Sequence, residues 1–294
     1  MPPRVWKGDK KLRLLRFTRN DSAKSFSDLL LTGLATRFYV RWKASSKLTI
    51  TSLILFSIYL LYFPSRTFSE ELIVAAASDL TFAFNEIGKN FESETGNQVI
   101  FSFGSTGMLA EQIRHGAPFD IFAAADDRSI MSLKNENLLI NDSIRHYAAG
   151  KLVIAYNKNT KLITSLEDLQ LKEIKNITIA NPDHAPYGIA AKEALVKAGL
   201  WNKLKQKIIF GENVRQALQF IQTGNVEAGI IAMSIAGVRE INYVLIDEKL
   251  YPPINQTMAI LKNTPKQKVA RKFIDFICSK KGKTILEKFG YKTE

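Results

Sequence analysis

From Glu71 onward, short apolar runs alternate with segments whose apolar residues recur at helical spacing. The run LIVAAAS (72–78) is followed by residues 79–94, in which the apolar side chains share one helical face. The same pairing recurs at residues 98–116 and 119–139. This alternation is typical of βαβ units, and it predicts an α/β fold built on mostly parallel sheet.

A second series of the same kind begins with KLVIAYN at residue 151 and ends with EAGIIAMS at residue 234. Two consecutive α/β series predict two lobes with a ligand cleft between them. We expect lobe 1 at residues 70–150 and lobe 2 at residues 151–236. Residues 237–294 contain two further apolar runs and a helical end, and we expect this segment to return and complete lobe 1.

The charge of the chain is concentrated at its N-terminus. The formal net charge is +13. Residues 1–69 hold 13 Lys and Arg against 3 Asp and Glu, whereas residues 70–294 hold 28 against 25. The part that is expected to fold is therefore almost neutral, so the basic composition does not indicate a nucleic-acid partner.

The N-terminal region has the layout of an export signal. Residues 48–63 carry no charge and follow three basic residues, so we interpret residues 47–69 as a signal peptide or a signal anchor. The apolar run is slightly short for a membrane span, so cleavage near Ser69, an uncleaved anchor and a buried core helix remain alternatives. Residues 1–46 form a basic extension, either a cytoplasmic tail or a product of a start codon placed too far upstream.

Residue types used in disulfides, metal sites and catalysis are sparse. They are Cys278, His115, His146, His184, Asp120, Asp126 and Asp183. The single cysteine cannot form an intramolecular disulfide, and the histidines lack the spacing of metal ligands. The acidic residues stand at turns and helix starts without a nucleophile motif. We therefore expect no cofactor, no directly bound metal cation and no enzymatic activity.

Hydroxyl groups and glycines stand where the predicted strands give way to helices. Ser78 and Thr106 occupy such turns in the first series, and Tyr187 and Val214 occupy them in the second. Ligands of parallel sheets bind at this end of the strands. Helix N-termini carry unpaired N–H groups and about half a positive charge, so four of them can hold a dianion without Lys or Arg. The alternative is that each hydroxyl only caps its own helix.

Five segments at and around these turns resemble the periplasmic molybdate-binding protein family: 74–80, 101–113, 116–126, 181–195 and 213–218. The resemblance covers nearly all of residues 70–294. It implies a type II periplasmic-binding fold, with an oxyanion held by the hydroxyls of Ser78, Thr106 and Tyr187 and by the main-chain N–H of Val214. Some members carry a ligand tyrosine where this chain has Ala232, and others carry it in the PYG turn, as here at Tyr187.

The resemblance implies an extracytoplasmic solute-binding protein that captures molybdate or tungstate for an ABC importer. Its partner is then the transporter permease, and we expect a monomer. Two alternatives stay open: a membrane-anchored oxyanion sensor, and a binding protein for another oxyanion such as sulfate or phosphate. The orientation of Asp79 bears on the second, because a carboxylate facing the cleft can accept the proton of hydrogen phosphate. Otherwise Asp79 complements the dipole of its helix.

Overall fold

The computed structural model describes residues 70–293 and contains two five-stranded sheets. The predictions for the basic extension and for the signal or anchor segment fall on residues outside this range. No helix within residues 70–293 is both long enough and apolar enough to span a membrane.

The first sheet has the strand order β2-β1-β3-β10-β4. Strand β1 pairs in parallel with β2 and β3, whereas β10 runs antiparallel to β3 and β4. Its strands are β1 (Glu71–Ala77), β2 (Gln98–Gly104), β3 (Ile121–Ala124), β4 (Arg145–Gly150) and β10 (Ile254–Ile260).

The second sheet has the order β7-β6-β8-β5-β9. Strand β6 pairs in parallel with β7 and β8, and β5 runs antiparallel to β8 and β9. Its strands are β5 (Leu152–Asn157), β6 (Ile177–Ala180), β7 (Ile208–Gly211), β8 (Ala228–Ala232) and β9 (Ile241–Leu245).

Eight α-helices accompany the sheets in the described residues. They are α1 (Thr81–Thr95), α2 (Thr106–Arg114), α3 (Asp127–Asn135), α4 (Pro186–Lys197), α5 (Trp201–Leu204), α6 (Val214–Gln222), α7 (Gln267–Cys278) and α8 (Lys280–Lys288). Helices α1, α2 and α3 follow β1, β2 and β3, as the alternating pattern predicts. The C-terminal helices α7 and α8 pack on lobe 1, where Phe273 of α7 meets Phe91 of α1 edge to face at 5.1 Å between ring centroids.

The chain crosses between the sheets twice. The first crossing is the single residue Lys151 between β4 and β5, and the second is the segment between β9 and β10. The expected boundary at residue 236 is wrong, because β9 pairs with β5 in the second sheet. Strand β5 pairs with β8 along one edge and with β9 along the other. Without β9, the backbone groups along that second edge of β5 would be unpaired.

Candidate functional site

The helix starts of both lobes meet at one small cavity. All four predicted site residues line it, so the structure brings them together. The lining residues are Ala77, Ser78, Asp79, Gly104, Ser105, Thr106, Ala125, Ala185, Pro186, Tyr187 and Val214. None of these is Lys or Arg. The cavity is small, and the two lobes make direct contact beside it, since the Gly107 N–H donates to the His184 carbonyl at 2.9 Å. The lobes are therefore closed on it.

Ser78 does not cap a helix. Strand β1 ends at Ala77, and residues 78–80 form a short 3₁₀ turn that lacks a side-chain cap. The main-chain carbonyl of Ser78 accepts a hydrogen bond from the Thr81 hydroxyl at 2.6 Å. The Ser78 side chain is buried at the cavity, and its hydroxyl is not used as a cap, so it can donate to a ligand there.

Thr106 is the first residue of α2, and its hydroxyl also does not cap that helix. Its Oγ1 atom accepts a hydrogen bond from the main-chain N–H of Ala125 at 3.1 Å. That bond fixes the side chain against β3 and leaves the hydroxyl proton free to be donated. Neither the Ser78 hydroxyl nor the Thr106 hydroxyl therefore caps its own helix.

Val214 begins α6, and its neighbour Asn213 is the cap. The Asn213 Oδ1 atom accepts hydrogen bonds from the N–H groups of Arg215 and Gln216. The N–H of Val214 stands ahead of these two and has no acceptor within the helix. Because Val214 is buried at the cavity wall, this N–H is the donor that α6 can offer to a ligand.

Tyr187 belongs to the first turn of α4, after Pro186. Tyr187 is one of the residues that line the cavity, and its hydroxyl oxygen is buried without a hydrogen-bond partner among the described residues. The oxygen lies against the end of β4, because a Cβ atom on Gly150 would stand 2.0 Å from it. Ligand binding by this hydroxyl stays a prediction, and the Tyr187 N–H is a second donor with no acceptor in the helix.

We expected the Asp79 carboxylate either to face the cleft or to complement the dipole of its helix, and neither description is complete. Its side chain is buried at the cavity wall, and its Oδ2 atom accepts a hydrogen bond from the Tyr291 hydroxyl at 2.7 Å. Burial raises the pKa of Asp79 from 3.8 to about 6, although hydrogen bonding by Tyr291 and the nearby polar groups of Tyr187 and Gln256 lower it. The side chains of Tyr187 and Gln256 lower the pKa of Asp79 by their proximity, and neither forms a hydrogen bond of normal geometry with it.

This raised pKa makes the stability of the free protein depend on pH. The folded state binds the Asp79 proton more tightly than the unfolded state, so the contribution of Asp79 to stability is fully present below about pH 4 and is lost as pH rises through 6. Above pH 6 the ionised carboxylate costs up to about 3 kcal/mol. Asp79→Asn keeps an acceptor for Tyr291, and we expect it to stabilise the protein at pH 8 and to lose this advantage near pH 4. Urea unfolding of both proteins at several pH values measures the difference, and a pH-independent difference contradicts the assignment.

Several contacts join the lobes around the cavity, and sequence reasoning missed them. The Ser105 hydroxyl lies 2.8 Å from Nδ1 of His184, and the N–H of Gly107 donates to the His184 carbonyl at 2.9 Å. On another side, the guanidinium of Arg215 lies 4.8 Å from the centre of the Phe82 ring. Nothing in the segment around His184 identifies a partner 79 positions away in the sequence.

The acidic residues near strand ends have structural roles. Asp126 caps α3 by accepting from the N–H of Ser129 at 2.7 Å, and Asp120 accepts from the N–H of Ile73 at 2.7 Å. No group of three or more His, Cys, Asp and Glu with metal-binding geometry occurs within residues 70–293. A larger groove of about 520 Å³ adjoins the cavity through Ala125 and Pro186, and its walls carry charges of both signs.

The fold and site define a class: two-lobed α/β binding proteins that close over a small ligand between their lobes. Residues 72–292 match the family of bacterial extracellular solute-binding proteins, and the chain belongs to that family.

Two relatives are named as molybdate-binding proteins. That of Azotobacter vinelandii is 36% identical over 228 residues, which are 75% of this chain and 89% of the relative. That of Rhodobacter capsulatus is 32% identical over 225 residues, which are 76% of this chain and 89% of the relative.

Solved structures agree with the fold. The periplasmic molybdate-binding protein of Azotobacter vinelandii matches with a TM-score of 0.72 at 28% identity, over 76% of this chain and 99% of that one. The sulfate-binding protein of Mycobacterium tuberculosis matches with a TM-score of 0.64 at 15% identity, over 76% of this chain and 87% of that one. The second match shows the shared fold alone.

Proposed function

We propose that this protein captures molybdate or tungstate outside the cytoplasm and delivers it to an ABC importer. The observation that carries the proposal is the cavity at which Ser78, Thr106, Tyr187 and Val214 meet, with neutral donors from both lobes and no Lys or Arg in its wall. The relatives named as molybdate-binding proteins support the same ligand.

Neutral donors are sufficient for a dianion at this position. The N–H groups of Thr106, Tyr187 and Val214, at the starts of α2, α4 and α6, have no acceptor within their helices, and each helix start carries about half a positive charge. A hydrogen bond to a charged group contributes roughly 1.5–3 kcal/mol. Four or five of them contribute roughly 6–15 kcal/mol, a range that includes the value of about 8 kcal/mol for micromolar binding.

Both lobes must contribute for the ligand to be held, since Ser78 and Thr106 belong to lobe 1 while Tyr187 and Val214 belong to lobe 2. Binding is therefore linked to lobe closure, and the closed form is the form that a permease distinguishes from the open one. We propose that the protein acts as a monomer, is exported by its N-terminal segment, and binds its ligand without chemical turnover. Mass spectrometry of the mature N-terminus separates a released protein from an anchored sensor.

Isothermal titration calorimetry of the purified protein with four anions tests the ligand. Molybdate and tungstate are expected to bind with micromolar or tighter affinity, and sulfate and phosphate are expected to bind at least tenfold more weakly. Selectivity rests on size, because the four anions share a tetrahedral shape while the metal oxyanions are larger. Absence of heat with molybdate and tungstate, together with tight binding of sulfate or phosphate, assigns the protein to another oxyanion.

A further inference from the structure

Asp79 is the one acidic residue in the wall of the anion cavity. A carboxylate next to a bound dianion is unfavourable, yet this side chain is only 1% exposed and cannot move its charge into water. The main-chain carbonyl of Asp79 is also held by the other lobe, because it accepts a hydrogen bond from the Ser234 hydroxyl at 2.9 Å. A residue held so firmly beside the ligand affects how the ligand binds.

The groups around the Asp79 carboxyl are polar but uncharged. Tyr147 approaches from β4, Tyr187 from α4, Gln256 from β10 and Tyr291 from the segment after α8. Burial raises the pKa of each of the three tyrosines well above 10, so they stay neutral at physiological pH. None of the ion pairs formed within residues 70–293 includes Asp79.

Burial favours the protonated carboxyl, and the surrounding groups can accept its proton, whereas the hydroxyl and amide donors among them favour the ionised form. Among the described residues, the hydroxyls of Tyr147 and Tyr187 and both amide atoms of Gln256 are buried without a hydrogen-bond partner. The Oε1 atom of Gln256 can only accept, and the tyrosine hydroxyls can also accept. An ionised Asp79 supplies no donor to any of them, whereas a protonated Asp79 supplies one. Protonation therefore removes a buried charge and provides a donor to a cluster that has spare acceptors.

We propose that Asp79 is the proton-accepting residue of the anion site, so that capture of a dianion transfers one proton from solvent to its carboxylate. This inference rests on the proposed function. The proton binds to a carboxylate oxygen, no other bond is made or broken, and the net charge added to the closed cavity is reduced from two to one.

The pH dependence has a defined sign. In the closed structure without a ligand the Asp79 pKa is about 6, and a bound dianion raises it further because a like charge disfavours ionisation. Affinity is then independent of pH below about 6 and falls as pH rises through the interval between the two pKa values. Within that interval the loss approaches tenfold per pH unit. His184 is also titratable and lies at the cavity rim through its contact with Ser105, so it needs a control.

Calorimetric titration with molybdate at pH 7, in two buffers whose ionisation enthalpies differ, counts the protons taken up. We expect close to one proton per molybdate for the natural protein and for His184→Asn, and none for Asp79→Asn. If Asp79→Asn proves unstable, the natural protein and His184→Asn still test the proposal, because binding without proton uptake by either one overturns it. Molybdate binding with no proton uptake, or equal uptake by Asp79→Asn, overturns the role of Asp79 and leaves the proposed function intact. Absence of molybdate binding by the natural protein refutes the proposed function itself.

Discussion

Replacing Ser78 or Thr106 by alanine is expected to weaken molybdate binding by roughly 5- to 150-fold each, equivalent to about 1–3 kcal/mol. Both hydroxyls are buried at the cavity, and neither caps a helix, so each has a donor available for the ligand. Alanine leaves an anion oxygen buried without that donor. Isothermal titration calorimetry measures the loss. The double variant is expected to bind more weakly than either single variant, although the two effects need not add because they share one ligand.

Ser102→Ala is a matched control for these variants. Ser102 lies on β2, two residues before the end of the strand, and is not part of the cavity wall. We expect unchanged molybdate affinity. If Ser78→Ala and Thr106→Ala also bind molybdate with the affinity of the natural protein, the anion site lies elsewhere.

Gly107→Ala is expected to hinder lobe closure. It should therefore reduce molybdate affinity by a factor similar to that of Ser78→Ala or Thr106→Ala. A Cβ atom on Gly107 would stand 2.8 Å from the carbonyl oxygen of His184 and 3.0 Å from its Cβ atom. The obstacle is largely main chain and cannot rotate away, so the lobes must separate and the hydrogen bond from Gly107 to His184 is lost. Overpacking of this kind costs about 1–3 kcal/mol, which corresponds to roughly 5- to 150-fold in affinity.

The same substitution should leave the free protein at least as stable. Gly107 lies in the first turn of α2, and alanine is the better helix former by up to about 1 kcal/mol. Thermal unfolding without ligand and calorimetry with molybdate separate the two effects. Gly237→Ala is the control, because its Cβ atom would meet no atom within 4 Å. Unchanged affinity in Gly107→Ala would mean that the contact with His184 is not part of the ligand-bound form.

The periodicity of the sequence was sufficient to predict the strands that position the site. Helical and extended patterns are local properties, so β1, α1, β2 and α2 could be identified from their own residues. The partner of a strand is a property of the whole fold. The first apolar run within residues 237–294 forms β9, and nothing in that run indicates pairing with β5 rather than return to lobe 1.

Site residues were predictable to the extent that they lie at strand-to-helix turns. Side-chain orientation was not, because it depends on groups far away in sequence. Asp79 is held by Tyr291, which is 212 positions further along the chain. The contact of Ser105 with His184 likewise exists only when the lobes meet. Both are consequences of tertiary structure for which a single sequence carries no signal.

The central claim is that hydroxyl and main-chain N–H groups from two facing lobes together replace the hydration shell of the anion. Anomalous diffraction at the molybdenum absorption edge, from crystals grown with molybdate, tests it most directly. We expect one strong peak between the lobes, with anion oxygens within hydrogen-bond distance of the Ser78 and Thr106 hydroxyls and the Val214 N–H. A peak elsewhere, or an anion held mainly by lysine and arginine side chains, would contradict it.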